Sequence, residues 1–463
     1  MPASRIGLSI FWTAGSFPEY SSLKIFITMV ITNYWNSAWR SLIKKKGFSA
    51  VNIVGLAIGM AAALLILTYV AFEYSYDDMH SRQDRIFRVE ARFYENGELT
   101  DDWASSSAGY ATAMKQNMSA VEDYTRVGSQ YYPEQIVKYN ELLYRETGIG
   151  YAEANFFDFF DFKLLKGNKE SCLDGPNKVV ITERIARKYF KGVDPIGKIL
   201  IFRSNIGEEA CEVTGIMEDM PVNTHVRYNL LISYKTLPKW MDEYWYRHEV
   251  YSYVLLKSAN LKTQVEEDFP AMAEKYKTEE ALKNKTWAIR LTNLRDIHLN
   301  PQKAYEPEVK GNRSSIWVLI CTALAILCIA WINYINMTVA RSMERAKEIG
   351  IRRASGASRR QVISQFLFES LVTNGIAFIL AIGLMEALMP SFNNLTGRDL
   401  SFSVWFTTSL GWYLLLIFAA GVFLSGFYPA TVLSGIKPIR MLKGKFTHTS
   451  GATATRKVLV VLQ

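Results

Sequence analysis

The sequence predicts an α-helical membrane protein with four transmembrane helices and a large α+β domain between the first and the second helix. Two uncharged runs, residues 47–72 and residues 314–340, extend over 26 and 27 positions. At about 1.5 Å per residue, each run is long enough as a helix to cross a bilayer core of roughly 30 Å. We assign the first span to residues 47–75 and the second to 314–340. The 238 residues between them are enough for one or two globular domains.

The third and fourth spans are less regular than the first two. We assign the third to residues 363–389, although Glu369 and Glu386 lie near its two ends. A carboxylate inside a bilayer is by default a functional candidate, but interfacial water can solvate it near the end of a span, so we favour a structural role for both. The fourth falls in a long uncharged stretch, and we assign it to residues 405–430 after a short external loop at 390–404.

Basic residues mark three segments beside the spans. Residues 36–46 hold four basic groups and no acid, residues 341–360 hold seven basic and two acidic groups, and residues 429–463 hold six basic groups and no acid. Four spans place all three segments on one side, and an excess of lysine and arginine beside spans marks the cytoplasmic side. The N-terminal region 1–46 and the C-terminal region 431–463 are therefore predicted to be cytoplasmic, and the large domain faces the other side.

The segment before the first span has an amphipathic pattern. Apolar residues recur at helical spacing between Ile31 and Ile43, and three lysines follow. This pattern is typical of a helix that lies in the bilayer interface with tryptophan at the headgroup level. A helix docked on another part of the protein would show the same pattern. Residues 1–28 contain no convincing cleavable signal peptide, and Met29 is a candidate start.

The insert, residues 76–313, combines strand and helix patterns. It holds 33 basic and 37 acidic residues, so the formal net charge of +9 belongs to the membrane's inner face and does not indicate nucleic-acid binding. Lys178–Ile181 is typical of a buried strand, and Thr182 can cap a helix that follows it. The aromatic cluster FFDFFDF at 156–162 is interpreted as core rather than as a binding surface. Further elements are predicted as strands at 198–202, 212–216, 228–233 and 287–294, and as a helix at 262–285.

The four cysteines say little about function. Cys321 and Cys328 lie within the second span, where packing is the simpler interpretation. Cys172 and Cys211 lie in the insert, where an external location would permit a disulfide. Spacing alone does not decide whether these two residues pair.

No catalytic or metal-binding pattern is convincing. Gly192–Lys198 (GVDPIGK) is close to a phosphate-binding loop, but Ile199 replaces the required hydroxyl residue, and the loop follows a helix instead of preceding one. The five histidines are scattered without metal-ligand spacing. The pair Asp77 and Asp78 at the membrane exit is interpreted as a solvated surface. We therefore expect a non-catalytic chain that binds no cofactor or metal of its own.

Several segments resemble MacB/FtsX-type ABC transporter permeases. The resemblance is strongest at 344–370 (ERAKEIGIRRASGASRRQVISQFLFES), and it extends to 39–89 and to 426–446 (GFYPATVLSGIKPIRMLKGKF). Inside the insert, 213–233 (VTGIMEDMPVNTHVRYNLLIS) and 294–300 (LRDIHLN) are similar to pieces of that family's periplasmic core domain. The resemblance implies four spans, helical stalks that extend the first two spans outward, and a MacB-like periplasmic domain between them.

The resemblance also implies a site at which a separate ATPase acts. In this family a cytoplasmic ABC ATPase binds the loop after the second span, and ATP-driven dimerisation there moves the periplasmic domains. That loop is 341–362 in this sequence. The residues at the family's ATPase-contacting positions, with the turn that follows, are Glu344, Arg345, Lys347, Glu348, Ile349, Gly350, Arg352, Arg353, Gly356 and Ala357. Anchoring to anionic lipid is an alternative role for the same arginines.

The resemblance implies further partners and a location. A second permease half is expected, either from a homodimer or from a tandem module, because the end of the chain (Arg456–Gln463) is similar to the lead-in to another span. The lipid bilayer is the other expected contact, a periplasmic partner is an open expectation, and no nucleic acid is expected. The location implied is the bacterial inner membrane, with both termini cytoplasmic.

Two functions stay open at this point. The first is export or extraction of a lipoprotein, peptide, macrolide or lipid, driven by ATP hydrolysis on the partner ATPase, which would hold the ATP and magnesium. The second is a non-transporting membrane regulator that activates a periplasmic cell-wall hydrolase in the manner of FtsX. A secondary transporter is disfavoured, because the first, second and fourth spans carry no charge near their midplane.

Overall fold

A computed structural model describes residues 32–434 of the chain. The stretches within this range that it leaves undescribed are residues 33, 45, 129–133, 205–206, 241–244, 246, 248–249, 278–283, 307–309 and 408–410. The candidate start at Met29 and the C-terminal segment up to Gln463 lie outside the described residues. The chain divides into two compact units, a membrane unit (residues up to Tyr69 and from Leu319 onward) and an α+β unit (Val70–Val318).

The described chain contains ten α-helices and thirteen strands. The helices are α1 (34–44), α2 (Lys46–Tyr74), α3 (Gly109–Asn117), α4 (Phe156–Phe159), α5 (Glu183–Phe190), α6 (Lys262–Ala273), α7 (Arg313–Ala354), α8 (Arg359–Thr396), α9 (Val404–Thr407) and α10 (Gly411–Ser434). The strands are β1 (Ile86–Glu95), β2 (Glu98–Asp102), β3 (Val121–Gly128), β4 (Glu134–Tyr139), β5 (Leu142–Thr147), β6 (Ile149–Ala152), β7 (Leu164–Lys166), β8 (Lys178–Thr182), β9 (Ile199–Ser204), β10 (Gly207–Met217), β11 (Leu230–Ser233), β12 (Val250–Leu256) and β13 (Thr286–Asn293).

Four helices of the described chain are long and apolar enough to cross a membrane. These segments are Lys46–Tyr74, Arg313–Ala340, Arg359–Thr396 and Gly411–Thr431. They belong to α2, α7, α8 and α10, and they confirm the prediction of four candidate spans. Large apolar side chains such as Val54, Ile379 and Leu416 are exposed on them. This exposure is expected of surfaces that face lipid.

The bounds of the third and fourth spans differ from the prediction. Helix α8 is longer than residues 363–389 at both ends, because a capping box at Ser358 starts it earlier and Gly397, with φ 66°, ends it later. The predicted loop 390–404 is therefore helical over its first half. The fourth span begins at Gly411 rather than at residue 405, because the short helix α9 is a separate element.

The helix before the first span presents an apolar stripe. Trp35, Trp39 and Ile43 are each about half exposed, while Ala38 is buried. Trp35 also packs edge-on against Phe368 of α8, with ring centroids 6.5 Å apart. Helix α1 therefore has one face on the membrane unit and another apolar face that is open. This arrangement suits the bilayer interface.

The α+β unit is built on one mixed sheet. Along the sheet the strand order is β13-β1-β12-β3-β6-β11-β8-β10-β9-β4-β5, with β2 paired to β1 and β7 paired to β10. Pairs β8–β10 and β6–β11 are parallel, and the other pairs are antiparallel. Every residue of β12 (VYSYVLL) is buried. A run without polar alternation is typical of a strand that is covered on both faces.

The local predictions for the insert are largely confirmed. Thr182 ends β8 and caps α5, and its side chain accepts a hydrogen bond from the backbone N–H of Ile185. Lys191 and Gly192 both have positive φ and end that helix. Strands occur at the other four predicted places, with bounds shifted by one to five residues. The helix predicted at 262–285 is shorter, since α6 ends at Ala273.

The aromatic cluster at 156–162 is part of the core, as predicted. Phe156, Phe157, Phe159 and Phe160 are almost completely buried in one apolar cluster, together with Cys172. Cys211 lies in a different cluster. Both cysteines are free thiols, and burial raises the pKa of Cys172 to about 11 and that of Cys211 to about 12. Both therefore behave as packing residues.

Candidate functional site

The residues at the predicted ATPase-contacting positions lie on the same helix as the second span. Helix α7 runs for 42 residues without a break, from Arg313 to Ala354, and so continues past residue 340. Its extension, SMERAKEIGIRRA, is rich in glutamate, arginine, lysine and alanine, which favour helix. The charges after residue 340 do not end the helix.

A tight turn joins α7 to α8. Gly356 has φ +97°, and the backbone N–H groups of Gly356 and Ala357 donate to the carbonyls of Arg353 and Arg352, at 3.2 and 3.1 Å. Ser358 then caps α8, and Gln361 returns the bond to the backbone N–H of Ser358. The backbone hydrogen bonds at the end of α7 and at the start of α8 are therefore formed within five residues. These bonds fix the turn between the two helices, which we call the elbow.

One face of the extension is buried against the membrane unit. Ile349 is 8% exposed and packs with Val362 and Phe366 of α8 and with Ala430 of α10. Gly350 is buried beside it. A displacement of the α7 end is therefore resisted by two helices, α8 and α10, and the extension is not a loose loop.

Beside this buried face, charged side chains of α7 reach the surface. Glu348 and Arg352 are about half exposed and form an ion pair one turn apart, with Nη2 and Oε1 separated by 3.1 Å. Arg352 also donates to Oε1 of Gln365 at 2.9 Å, and Gln365 donates to the hydroxyl of Ser37 at 3.0 Å. The sequence reasoning missed Gln365 and Ser37. The sequence signal that could have indicated a polar face on α8 is the pair Gln361 and Gln365, which lie one helical turn apart.

The remaining predicted residues divide into two groups. Arg353 and Ala357 are half-buried, and Gly356 is exposed. Glu344, Arg345 and Lys347 lie in the helical backbone of α7, and their side chains are outside the described residues. The structure thus brings Glu348, Ile349, Gly350 and Arg352 to one helix end, where the first and the last reach the surface and the other two are buried.

We expect Gly356→Val to destabilise the elbow by about 1–2 kcal/mol, because a β-branched residue is strained at positive φ. No atom lies within 4 Å of the position a Cβ would take at Gly356, so backbone conformation is the only cost that the described residues impose. Thermal unfolding of the purified protein in detergent measures the effect. Ser355→Val, one residue earlier and at negative φ, is the matched control, and an equal effect of both variants would contradict this explanation.

The two acidic residues of the third span differ in environment. Glu369 is half-buried and lines a cavity of about 50 Å³ with Ser49, Asn52 and Tyr334. Glu386 is exposed. Neither belongs to a group of three or more histidine, cysteine or acidic residues that could hold a metal in the described part of the chain. The structural interpretation of both residues stays a prediction.

In the α+β unit, Asp77 is buried, so the prediction of a solvated pair is wrong for this residue. Its Oδ1 accepts hydrogen bonds from the hydroxyl of Thr224 at 2.6 Å and from the backbone N–H of His225 at 3.2 Å, and its Oδ2 lies 2.8 Å from Nδ1 of His225. Burial would raise the pKa of Asp77, but His225 and these hydrogen bonds outweigh it and lower the pKa below its ordinary value. Asp78 is exposed and pairs with Arg295 at 3.2 Å.

A second acid–histidine pair lies one turn earlier. Oε2 of Glu73 lies 2.8 Å from Nε2 of His298, and both side chains are buried. Tyr76 stacks on the His298 ring with centroids 3.4 Å apart. A Cβ at Gly311 would lie 2.5 Å from Oε2 of Glu73, so Gly311 packs directly on the pair. The end of α2 and the chain two residues before α7 therefore meet at Glu73 and His298.

A buried ion network holds the segment that leads into α7. Arg88 of β1 is fully buried and donates to Glu90 at 2.7 Å and to Glu306 at 2.6 Å. Lys303 pairs with Glu90, and Lys310 pairs with Glu306 at 2.5 Å. Each of these five charged side chains has an opposite charge beside it, which buried charges require. This network fixes Lys303, Glu306 and Lys310 to the sheet.

Two family profiles match the chain. The profile described as MacB-like periplasmic core domain matches residues 49–272, and the profile described as FtsX-like permease C-terminal matches residues 320–438. Four candidate spans, a large α+β domain and a basic helical extension of the second span define the chain as a multi-pass membrane permease. It belongs to the MacB/FtsX-type ABC transporter permeases.

Curated relatives with this similarity are export proteins by name. The macrolide export ATP-binding/permease protein MacB of Neisseria gonorrhoeae is 25% identical over 311 residues, which are 65% of this chain and 45% of that protein. The probable syringafactin export ATP-binding/permease protein SyfD of Pseudomonas syringae pv. tomato is 23% identical over 369 residues, 76% of this chain and 50% of that protein. The chain spans about half the length of these relatives, and the match lies in the permease part.

Two solved structures are similar to part of this chain. A domain of a putative permease from Porphyromonas gingivalis is 23% identical and aligns with a TM-score of 0.42 over 50% of this chain and 96% of that chain. The periplasmic region of MacB from Actinobacillus actinomycetemcomitans is 17% identical, with a TM-score of 0.30 over 43% of this chain and 87% of that chain.

Proposed function

We propose that this chain is the permease subunit of an ABC transporter and transmits the force of ATP hydrolysis from a separate cytoplasmic ATPase to the α+β unit on the periplasmic side. The observation that carries the proposal is the continuity of α7 over 42 residues, from the α+β unit through the second span to the elbow. A helix of 42 residues is about 63 Å long at about 1.5 Å per residue, which exceeds the bilayer core by roughly a factor of two. Displacement at its cytoplasmic end can therefore reach its other end without an intervening joint.

The contacts at both helix ends support this role. At the cytoplasmic end, Ile349 and Gly350 are buried, whereas Glu348 and Arg352 are about half exposed, so the helix is braced and its charged side chains can still be contacted. At the other end, Arg313 donates to Asp296 of the α+β unit at 2.8 Å. A force transmitter needs such attachments at each end, since a flexible joint would absorb the motion.

The proposed substrate class is a lipoprotein, peptide, macrolide or lipid for export or extraction. Export is favoured over regulation of a cell-wall hydrolase because the curated relatives are named for macrolide and syringafactin export. A second permease half, from another copy or a tandem module, completes the proposed transporter. The excess of basic groups beside the spans supports cytoplasmic termini and an inner-membrane location.

We expect replacement of both Glu348 and Arg352 by alanine to weaken the complex with the ATPase about tenfold, the effect of losing about 1.4 kcal/mol of polar contacts. Stimulation of ATP hydrolysis by substrate should fall with it, while membrane insertion is unchanged. The measurement is ATPase activity of the complex in nanodiscs over a range of permease concentrations.

The matched control exchanges the two charges, Glu348→Arg with Arg352→Glu. This variant keeps an ion pair one turn apart on the same helix, so a purely structural role of the pair predicts wild-type stimulation. A contact role predicts that the exchange is as harmful as the double alanine variant. Normal stimulation in both variants would rule out this surface as the coupling contact.

A further inference from the structure

Helix α1 presents two neighbouring stripes of side chains on its outer surface. Trp35, Trp39 and Ile43 form an apolar stripe and are each about half exposed. Arg40 and Lys44 lie one turn apart in the next stripe and are exposed. The indole rings of Trp35 and Trp39 stack with their planes 6° apart and their centroids 6.4 Å apart, so the apolar stripe is ordered. Cations beside an ordered aromatic surface match lipid headgroups above acyl chains.

The charge of this segment favours anionic lipid as the occupant of the surface. Residues 36–46 hold four basic groups and no acid. Each lysine or arginine near an anionic bilayer strengthens binding about fivefold, and tryptophan is enriched at the headgroup level. Helix α1 ends at residue 44, and the first candidate span begins at Lys46, so the surface stays at the membrane edge. A negatively charged bilayer surface therefore fits both stripes at once.

Another face of α1 packs on the membrane unit. Ala38 is buried, and the ring of Tyr34 lies 6.1 Å from that of Phe368 on α8, measured between centroids. The hydroxyl of Ser37 accepts a hydrogen bond from Nε2 of Gln365, also on α8, at 3.0 Å. A change in how firmly α1 is held therefore acts on α8 at Gln365.

The side-chain amide of Gln365 joins three helices. Its Nε2 donates to Ser37 of α1 and, at 3.3 Å, to Oε1 of Glu369 on α8. Its Oε1 accepts from Nη1 of Arg352 on α7 at 2.9 Å. The reversed amide would point its NH₂ group at a guanidinium that can only donate, so these contacts fix its orientation. Because Arg352 also pairs with Glu348, a polar chain connects α1 to the charged surface at the end of α7.

We propose that α1 is a binding surface for anionic lipid and that Gln365 relays lipid binding to the elbow. Anionic headgroups that bind Arg40 and Lys44 hold α1 against α8, which keeps Ser37 in contact with Gln365. The amide of Gln365 then stays in place to accept from Arg352. In a neutral bilayer α1 is held less firmly, and the end of α7 loses this contact for part of the time. Lipid charge thereby controls how well the elbow is ordered.

Lipid control of the ATPase contact rests on the proposed function, because Glu348 and Arg352 form the surface assigned to that contact. The lipid binding itself and its relay through Gln365 belong to the membrane unit alone. Both can be measured on the permease without an ATPase. Failure of force transmission and failure of the lipid relay can therefore be distinguished.

The experiment is hydrogen exchange of the full chain in nanodiscs of phosphatidylcholine, with or without phosphatidylglycerol, read on peptides that cover residues 34–44 and 348–358. We expect phosphatidylglycerol to slow exchange in both peptides, and in the elbow about fivefold, the factor that corresponds to one side-chain hydrogen bond. At 1 M salt the Debye length is about 3 Å, so the effect should disappear. Equal exchange of the elbow peptide in the two lipids would overturn the proposal.

Two variants isolate the relay from the lipid binding. In Gln365→Leu and in Ser37→Ala, the α1 peptide should keep its response to phosphatidylglycerol while the elbow peptide loses it. Ser364→Ala is the matched control, since it makes the same chemical change at an exposed position next to Gln365 and should keep both responses. A full elbow response in Gln365→Leu would show that lipid acts on the arginines of α7 directly, which would overturn the relay.

A third variant, Arg40→Gln with Lys44→Gln, identifies the occupant of the α1 surface. With both charges removed, the response to phosphatidylglycerol should be lost in the α1 peptide and in the elbow peptide. If this variant instead keeps both lipid responses and no longer binds the ATPase, the α1 surface docks a protein, and the assignment to anionic lipid is wrong.

Discussion

Asp77→Ala is expected to destabilise the α+β unit by about 3–5 kcal/mol, the usual cost of removing one partner from a buried charged pair. Three donors lose their acceptor at once: the hydroxyl of Thr224, the backbone N–H of His225 and the ring of His225. None of them can turn to solvent, because Thr224 and His225 are themselves buried. The segment that follows α2 should lose its polar contacts with residues 224 and 225.

Asp78→Ala provides a control at the neighbouring position. Asp78 also forms an ion pair, with Arg295 at 3.2 Å, but the two side chains are 37% and 47% exposed. An exposed pair contributes about 0–1 kcal/mol, so this variant should unfold almost like the wild type. Urea-dependent proteolysis of the purified protein, followed on fragments of residues 70–318, measures both. Similar midpoints for the two variants would show that burial of Asp77 does not determine its contribution.

This pair shows what sequence patterns can and cannot resolve. Asp77 and Asp78 are adjacent and chemically identical, and both follow a membrane span, so local pattern assigns them the same environment. The difference arises because residues 223–225, nearly 150 positions later, fold over Asp77 alone. A contact between distant segments has no signature in either segment's own periodicity.

The histidines show the same limit of sequence patterns. His80, His225 and His298 have no common spacing, so no sequence pattern groups them. In the structure His80 and His225 both face Asp77, and His298 faces Glu73 one turn earlier on the same chain segment. Their three segments are the ones that resemble the periplasmic core domain and its entry, so family resemblance marked the right pieces without showing that they meet.

Local structure was more predictable than topology. Strand β8 and the cap of α5 follow from a β-branched run and a threonine before a helical pattern, which are local signals. The sheet order, in which β1 lies between β12 and β13, joins residues separated by about 200 positions. Such pairing depends on tertiary packing, and β12 and β3 were not predicted although both are mostly buried.

The predicted coupling loop 341–362 was not recognised as a continuation of the helix that forms the second candidate span. Charge beside an apolar run indicates where a helix leaves the bilayer, because charges are costly inside it. It does not indicate where the helix ends, since glutamate, arginine and lysine are good helix formers. The helix ends only where Gly356 and the Ser358 cap provide backbone conformations that stop one helix and start the next.

Ala346→Pro is expected to abolish transmission from the ATPase to the α+β unit while leaving the ATPase contact in place. Residue 346 lies in the helical backbone of α7, between the end of the candidate span at Ala340 and the braced residue Ile349. Proline inside a helix removes one backbone hydrogen bond, clashes with the preceding turn and costs about 3 kcal/mol, which bends or breaks the helix there. Residues 348–353 beyond the break keep their own turn and their packing on α8.

The measurement compares hydrogen exchange of residues 70–318 in the ATPase complex, with and without ATP and vanadate. In the wild type, trapping the ATPase should change exchange in the α+β unit; in Ala346→Pro this change should disappear although the ATPase still co-purifies. Ala346→Leu is the matched control, because leucine favours helix at the same position. If the unit responds to nucleotide equally in the proline and leucine variants, a continuous α7 is not the path by which force reaches it, and the first span becomes the alternative path.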